Sequence, residues 1–223
     1  MNGPIDYIST ITDVREVALT GTADLDYWRE RLQVAGLVPY DDDGRASLML
    51  TAIESKFRGI PFRELSISVR VGDGYAAYLA HAFNSSRLLA FAERVFFQTP
   101  YQLAGLTVSE RVPAHMAVSS GGHALFSARM AASSTPARSE EPLWQGAIYL
   151  PGGEKVFYAR LSGAADVYSF SAQDEIDIRP RPDAPIFDQL IASNFAGKEW
   201  MVRRGAVHAR SRTYPRAAVA RGR

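Results

Sequence analysis

Glu64-Leu65-Ser66-Ile67-Ser68-Val69-Arg70-Val71, the turn Gly72-Asp73-Gly74, and Tyr75-Ala76-Ala77-Tyr78-Leu79-Ala80-His81-Ala82-Phe83 follow one another, and this stretch decides the fold. Both long runs are short, apolar or alternating segments bounded by turn residues, which is the pattern of a β-strand. A Gly-Asp-Gly turn between two such runs predicts an antiparallel hairpin. One residue interrupts the pattern. Glu64 places a carboxylate in an otherwise apolar strand from Phe62 to Val71. It reads either as a solvated position or partner of Arg63, or as a general acid or base whose pKa is raised by burial.

Outward from the hairpin, further strand signals fall at Val14–Leu19, Ser47–Ile53, Leu106–Glu110, His123–Met130, Gln145–Leu150, Lys155–Leu161, Asp166–Ile178 and Lys198–Arg210. Gly121-Gly122 reads as a hairpin turn. It lacks the Lys-Ser/Thr and the strand–loop–helix setting of a phosphate loop. Helices are few. Asp24–Gln33, capped by Thr22 or Asp24, carries Leu25, Trp28 and Leu32 at core spacing. Ser85–Phe97 follows the N-cap candidates Asn84 and Ser85 and stops before Pro100, with Leu88, Leu89, Ala92, Val95 and Phe96 on one side. Ala184–Ser193 carries Ile186, Leu190 and Ile191. Many antiparallel strands with a few helices predict an α+β domain built on one closed or strongly curved sheet. Residues 1–212 read as a single domain and 213–223 as a basic flexible tail, with fraying expected from Arg210 onward. The Ala132–Pro142 segment reads as a flexible connection or an active-site lid.

Composition removes several function classes. The chain has 223 residues, 25 basic and 24 acidic, so neither nucleic acid nor a membrane surface is the expected partner. It has no cysteine, which excludes disulfides, zinc–thiolate sites and cysteine nucleophiles. The four histidines, His81, His115, His123 and His208, include no pair at helical metal-ligand spacing, so no metal site is expected. The first residues do not read as a signal peptide, and no apolar run reaches the roughly 18–20 residues of a membrane helix. A cytoplasmic protein is expected. Lysine occurs only at Lys56, Lys155 and Lys198, which leaves few groups for imine chemistry.

Several segments, taken in order, carry a resemblance. Arg15-Glu16 stands in the first strand. The first helix leads into Ala35-Gly36-Leu37-Val38-Pro39, and Gly59-Ile60-Pro61-Phe62-Arg63-Glu64-Leu65 opens the next strand pair. The second helix runs into Phe97-Gln98-Thr99-Pro100-Tyr101-Gln102-Leu103-Ala104-Gly105. In this order and spacing, over residues 12–212, the chain resembles the acetoacetate decarboxylase-like family. The resemblance implies a mixed fold with a cone-like barrel around a central cavity. It also implies a small-molecule substrate and a homo-oligomer, without a cofactor. The family's "G-x-P-K-K-L-G" segment places its imine-forming lysine where this chain has Tyr101, with Gln102 next to it. Tyrosine cannot form an imine, so decarboxylation by that route is not expected.

By the same resemblance, Glu64 is the pocket glutamate, Arg15 the arginine at the cavity mouth, and Met49 stands in place of a second carboxylate. Tyr101 reads as a packed aromatic or as a phenol donating to a substrate carbonyl. Arg15 reads as a surface ion pair or as a fork for a carboxylate or enolate. Gln102, Met49, His81, Phe83 and Phe97 are the candidates for substrate contact, with ordinary core packing as the other reading. The expected function is a cofactor-independent enzyme of secondary, polyketide-type metabolism. It would cyclise, isomerise or dehydrate a carbonyl-rich or polyene substrate. A non-catalytic binding protein using the same cavity is the alternative, and a decarboxylase comes behind both.

Overall fold

The computed structural model describes residues 5–131 and 135–216. In chain order the strands and helices are β1 (Tyr7–Asp24), α1 (Leu25–Gln33), β2 (Asp41–Asp42), β3 (Arg45–Phe57), β4 (Ile60–Val71), β5 (Ala76–Asn84), α2 (Arg87–Phe96), β6 (Tyr101–Leu103) and β7 (Gly105–Ser109). They continue with β8 (His115–Ser120), β9 (His123–Arg129), β10 (Arg138–Glu140), β11 (Trp144–Tyr149), β12 (Lys155–Ser162), β13 (Ala165–Ser169), β14 (Glu175–Ile178), α3 (Pro185–Ala192), β15 (Ala196–Ser211) and β16 (Tyr214–Pro215).

The hairpin read from the sequence is present as β4–β5. Gly72 and Gly74 both take positive φ in its turn, and Val71 pairs with Ala76. Strand pairing then runs β15–β1–β3–β4–β5–β11–β12, and β12 pairs back with β15. The sheet therefore closes into a barrel, with the one parallel junction of that ring between β5 and β11. A second, four-stranded sheet runs β14–β9–β8–β7. The Gly121-Gly122 turn joins β8 to β9, with φ of 56° and 80°, a conformation that suits glycine in a tight hairpin.

Alternation divides the barrel strands between two environments. Leu48, Leu50, Leu65, Ile67 and Val69 face outward and pack with Trp28 and Leu32 of α1, Phe187 of α3, and Met116 and Phe126 of the second sheet. The stacked rings Phe83–Phe187 and Phe126–Phe187 lie in this main core. The other face carries Met49, Thr51 and Ile53 of β3 in register with Ser68, Ser66 and Glu64 of β4, and it lines the barrel interior. Two small apolar clusters sit inside. One is Leu79, Ala82, Leu150, Phe157 and Ala159; the other is Val14, Ile53, Phe62 and Ala206, with Leu89 of α2 against it.

Several sequence expectations need correction. The run Asp166–Ile178 is two strands, not one: β13 pairs with β15 and β14 with β9. Asp174 makes the break, because its carboxylate accepts from the Ser171 and Ala131 N–H groups and from Trp200 Nε1. Helix α2 is capped by Ser86, one residue beyond the expected caps. The Asn84 side chain accepts from Ser86 N, and Ser85 Oγ accepts from Arg63 N. Of the expected core residues on α2, Leu88, Val95 and Phe96 are exposed, and Phe91 joins them. The helix turns Leu89, Ala90 and Glu93 inward. Beyond Arg210 the chain is not frayed: Tyr214 pairs with Val156, and the Arg216 guanidinium donates to the carbonyls of Ala35 and Gly36. Residues 217–223 of the tail lie outside the described residues. So do residues 132–134 of the expected connection, whose Arg138–Glu140 part is β10, paired with β13.

Candidate active site

The inner face of the barrel brings Glu64 and Tyr101 together. Glu64 comes from β4 and Tyr101 from β6, and both strands pair with β5. The two side chains hydrogen-bond to each other. Burial between the two inner apolar clusters pushes the Glu64 carboxyl up. The Tyr101 hydrogen bond pulls it down, the Glu93 carboxylate pushes it up again, and the electrostatic influence of His208 and Arg210 pulls it down. The result is about 7. Burial drives the Tyr101 phenol well above its ordinary value, and the Glu64 and Glu93 charges add to this, so it stays a neutral hydrogen-bond donor. Both residues keep part of their surface accessible.

Around this pair stand two ion clusters. In the first, Glu93 of α2 receives Arg210 Nη1 of β15, with the Thr99 hydroxyl 2.9 Å from Glu93 Oε2. The Arg210 guanidinium lies between the rings of Phe97 and Phe157, 4.5 and 4.2 Å from their centroids. Its Nε and Nη2 are buried with no hydrogen-bond partner among the described residues. Those two atoms form the side-on fork of a guanidinium, the edge suited to an oxyanion.

In the second cluster Glu16, 1% exposed, receives Arg203 Nη1 on one oxygen, and His208 Nε2 lies 2.6 Å from the other. Burial pushes Glu16 up, but the hydrogen bond and charge of His208 and the charge and hydrogen bond of Arg203 outweigh it and hold the carboxyl below its usual range. A bulge makes this cluster possible. Gly205 sits at φ 74°, and the β1–β15 register slips between Glu16–Arg203 and Val14–Ala206. The extra residue brings Arg203 and His208, an odd number of positions apart, to the same face.

The other sequence candidates fall as alternation dictates. Arg15, next to Glu16, is on the outer face. Its Nη1 donates to Glu54 at 3.0 Å, its side chain is 55% exposed, and it has no part in the cluster. Arg63 takes the second oxygen of Glu54 at 2.7 Å, which removes it as a partner for Glu64. Phe83 is fully buried in the main core against Phe187, on the side away from Glu64. His81 is on that side too, with its ring against Phe83 and Nε2 3.3 Å from Gln102 Oε1; Gln102 Nε2 donates to the Asp183 carbonyl. Met49 faces inward but stands four residues along the ladder from Ile53, the partner of Glu64, about 13 Å away at strand rise. Phe97 does reach the site, through Arg210.

Glu16, Glu93, Arg203, His208 and Arg210 are not singled out by the sequence reading. A signal for two of them exists in phase: Glu16 alternates with Val14 and Ala18, and His208 with Ala206 and Arg210. Two open hollows lie elsewhere. One of about 500 Å3 is lined by Asp26, Arg29, Gln33 and Val38 of the α1 region and shares no residue with the cluster. The other, about 210 Å3, is lined by Phe97, Lys155, Thr213 and Tyr214.

The closed barrel with its flanking sheet is the acetoacetate decarboxylase-like fold. The enduracididine biosynthesis enzyme MppR is similar over 97% of this chain and 89% of its own, with TM-score 0.64 and 15% identity. An acetoacetate decarboxylase-like enzyme from Sphingomonas wittichii RW1 is similar over 95% and 94%, with TM-score 0.61 and 12% identity. Acetoacetate decarboxylase from Legionella pneumophila is similar over 96% and 89%, with TM-score 0.61 and 14% identity. No family model matches the sequence, and no curated protein does. No helix among the described residues is long and apolar enough to cross a membrane.

Proposed function

We propose that the chain is a cofactor-independent enzyme that moves protons on a carbonyl-rich or polyene small molecule. Isomerisation, cyclisation or dehydration would follow without an imine. The observation that carries this reading is the Glu64–Tyr101 pair. A carboxyl poised at about 7 can both give and take a proton near neutrality. The phenol beside it, which the sequence resemblance sets at the family's lysine, can donate to a carbonyl but cannot form a Schiff base. The unpartnered fork of Arg210 supplies a cationic edge for a developing enolate oxygen, the role the sequence reading gave to Arg15. The enzymes among the structural neighbours support catalysis on this fold. Polyketide-type metabolism and a cytoplasmic setting belong to the same proposal. Self-association does too, supported by the exposed apolar side chains of α2.

Deuterium exchange at C3 of acetylacetone in D2O, followed by NMR, tests the chemistry. The wild type is expected to accelerate exchange, and Glu64→Gln and Tyr101→Phe to slow it at least tenfold. Full exchange in both variants would refute the assignment. The competing reading is a binding protein using the same space. A carbonyl ligand held tightly but released without exchange would favour it.

A further inference from the structure

We infer that His208, oriented by Glu16, is a second proton-transfer group of this site, working as the partner of Glu64. The inference rests on the acid–base reading of Glu64 and names a residue that reading does not use.

Geometry carries the argument first. His208 Nε2 is 2.6 Å from an oxygen of Glu16, and the other oxygen of Glu16 is held by Arg203. Glu16 is buried and ionised, so it accepts only, and the hydrogen in that contact belongs to His208 Nε2. Nδ1 is thereby the nitrogen left to take or give a proton, since a carboxylate on one ring nitrogen fixes the role of the other. The His208 side chain keeps 15% of its surface accessible, whereas its anchor Glu16 keeps 1%. Position separates the two proton sites. Glu16 pairs with Ile53 and Ile53 with Glu64, so the two carboxylates share one face across three neighbouring strands, with backbones about 10 Å apart.

Charge supplies a second argument. The ionisable groups of the two ion clusters and the acid–phenol pair, besides His208, are Glu16 from β1, Arg203 and Arg210 from β15, Glu64 from β4, Glu93 from α2 and Tyr101 from β6. Three carboxylates stand against two guanidiniums. With Glu64 ionised the cluster therefore carries one negative charge, and a proton on Glu64 cancels it. A charge on His208 is felt at Glu64.

The pair can perform a balanced isomerisation. His208 Nδ1 takes a proton from the carbon next to a carbonyl, and the C–H electron pair becomes the C=C bond of a conjugated enolate. Glu64 gives its proton to the far carbon of the conjugated system, and the enolate electrons form the new C–H bond. The substrate loses one proton and gains one. Return of the proton from the imidazolium to the Glu64 carboxylate restores the starting state.

Long-range 15N–1H correlation on the labelled chain reads the imidazole directly, with His208 assigned from its loss in His208→Asn. The expected result is a proton on Nε2 of the neutral ring, with Nδ1 bare. A neutral His208 protonated on Nδ1 would overturn the inference. In acetylacetone exchange His208→Gln is expected to lose at least tenfold. Loss in Glu64→Gln with full exchange in His208→Gln would leave the Glu64 reading standing and remove His208. Full exchange in both would remove the two together.

Discussion

The phenol of Tyr101 and the carboxyl of Glu64 hydrogen-bond across β5, inside a barrel whose outer face carries the main core. Each depends on the other's protonation state. The phenol stays neutral because burial disfavours its charged form and an ionised Glu64 beside it adds to this, and its hydrogen bond steadies the ionised form of Glu64. Tyr101→Phe removes the one hydrogen bond that lowers Glu64. The Glu64 pKa is therefore expected to rise above 7, read by the pH dependence of the side-chain carboxyl carbon resonance, which Glu64→Gln identifies.

The raised Glu64 pKa has a consequence for stability, with a definite sign. The folded chain holds a proton on Glu64 from pH 4.5, the ordinary carboxyl value, up to about 7, whereas the unfolded chain has already lost it. The native state binds more protons over this window, so stability falls as pH rises through it and levels off above pH 7. The shift corresponds to an effect on the order of 3 kcal/mol. Denaturant unfolding of the wild type and Glu64→Gln at pH 5 and pH 8 is expected to show the wild type losing stability relative to the variant at the higher pH.

Glu16 should behave in the opposite way. Its carboxyl is held below the ordinary value, so its contribution is complete above about pH 4.5 and is lost as pH falls through the folded value. Glu16→Gln leaves the 6%-exposed Arg203 without its counter-ion. Breaking a buried pair in this way costs about 3–5 kcal/mol. Chemical denaturation at pH 7 should show a loss of that order, narrowing in acid.

Arg15→Ala is expected to change unfolding free energy by under about 1 kcal/mol, because the Arg15–Glu54 pair is an exposed one. It should also leave acetylacetone exchange intact. A large loss of exchange would return Arg15 to the site.

The contrast between Arg15 and Glu16 shows how far the sequence could be read. The β4–β5 hairpin was legible because strand period and turn chemistry agree over that stretch, and α1 because Leu25, Trp28 and Leu32 share one stripe beneath the Asp24 cap. Glu64 and Tyr101 were legible from the order of segments around them. Which of two adjacent charged residues on β1 points inward depends instead on strand register, and a one-residue slip exchanges the faces. The same alternation sends Tyr101 inward and Gln102 outward. His208 and Arg203 were hidden for a related reason: strict alternation would put them on opposite faces, and only the bulge at Gly205 reunites them.

That bulge gives the last prediction. Gly205 has φ 74°, a region that L side chains disfavour, while nothing lies within 4 Å of where its Cβ would be. Gly205→Ala therefore introduces backbone strain without a clash, costing about 1–2 kcal/mol. If the strand relieves that strain by straightening, Arg203 and His208 can no longer both meet Glu16. The expected result is a lowered midpoint of thermal unfolding together with a disturbed His208 Nε2 resonance. A loss of stability with an unchanged His208 spectrum would mean that the bulge absorbs the methyl group and that Glu16 holds the imidazole without its help.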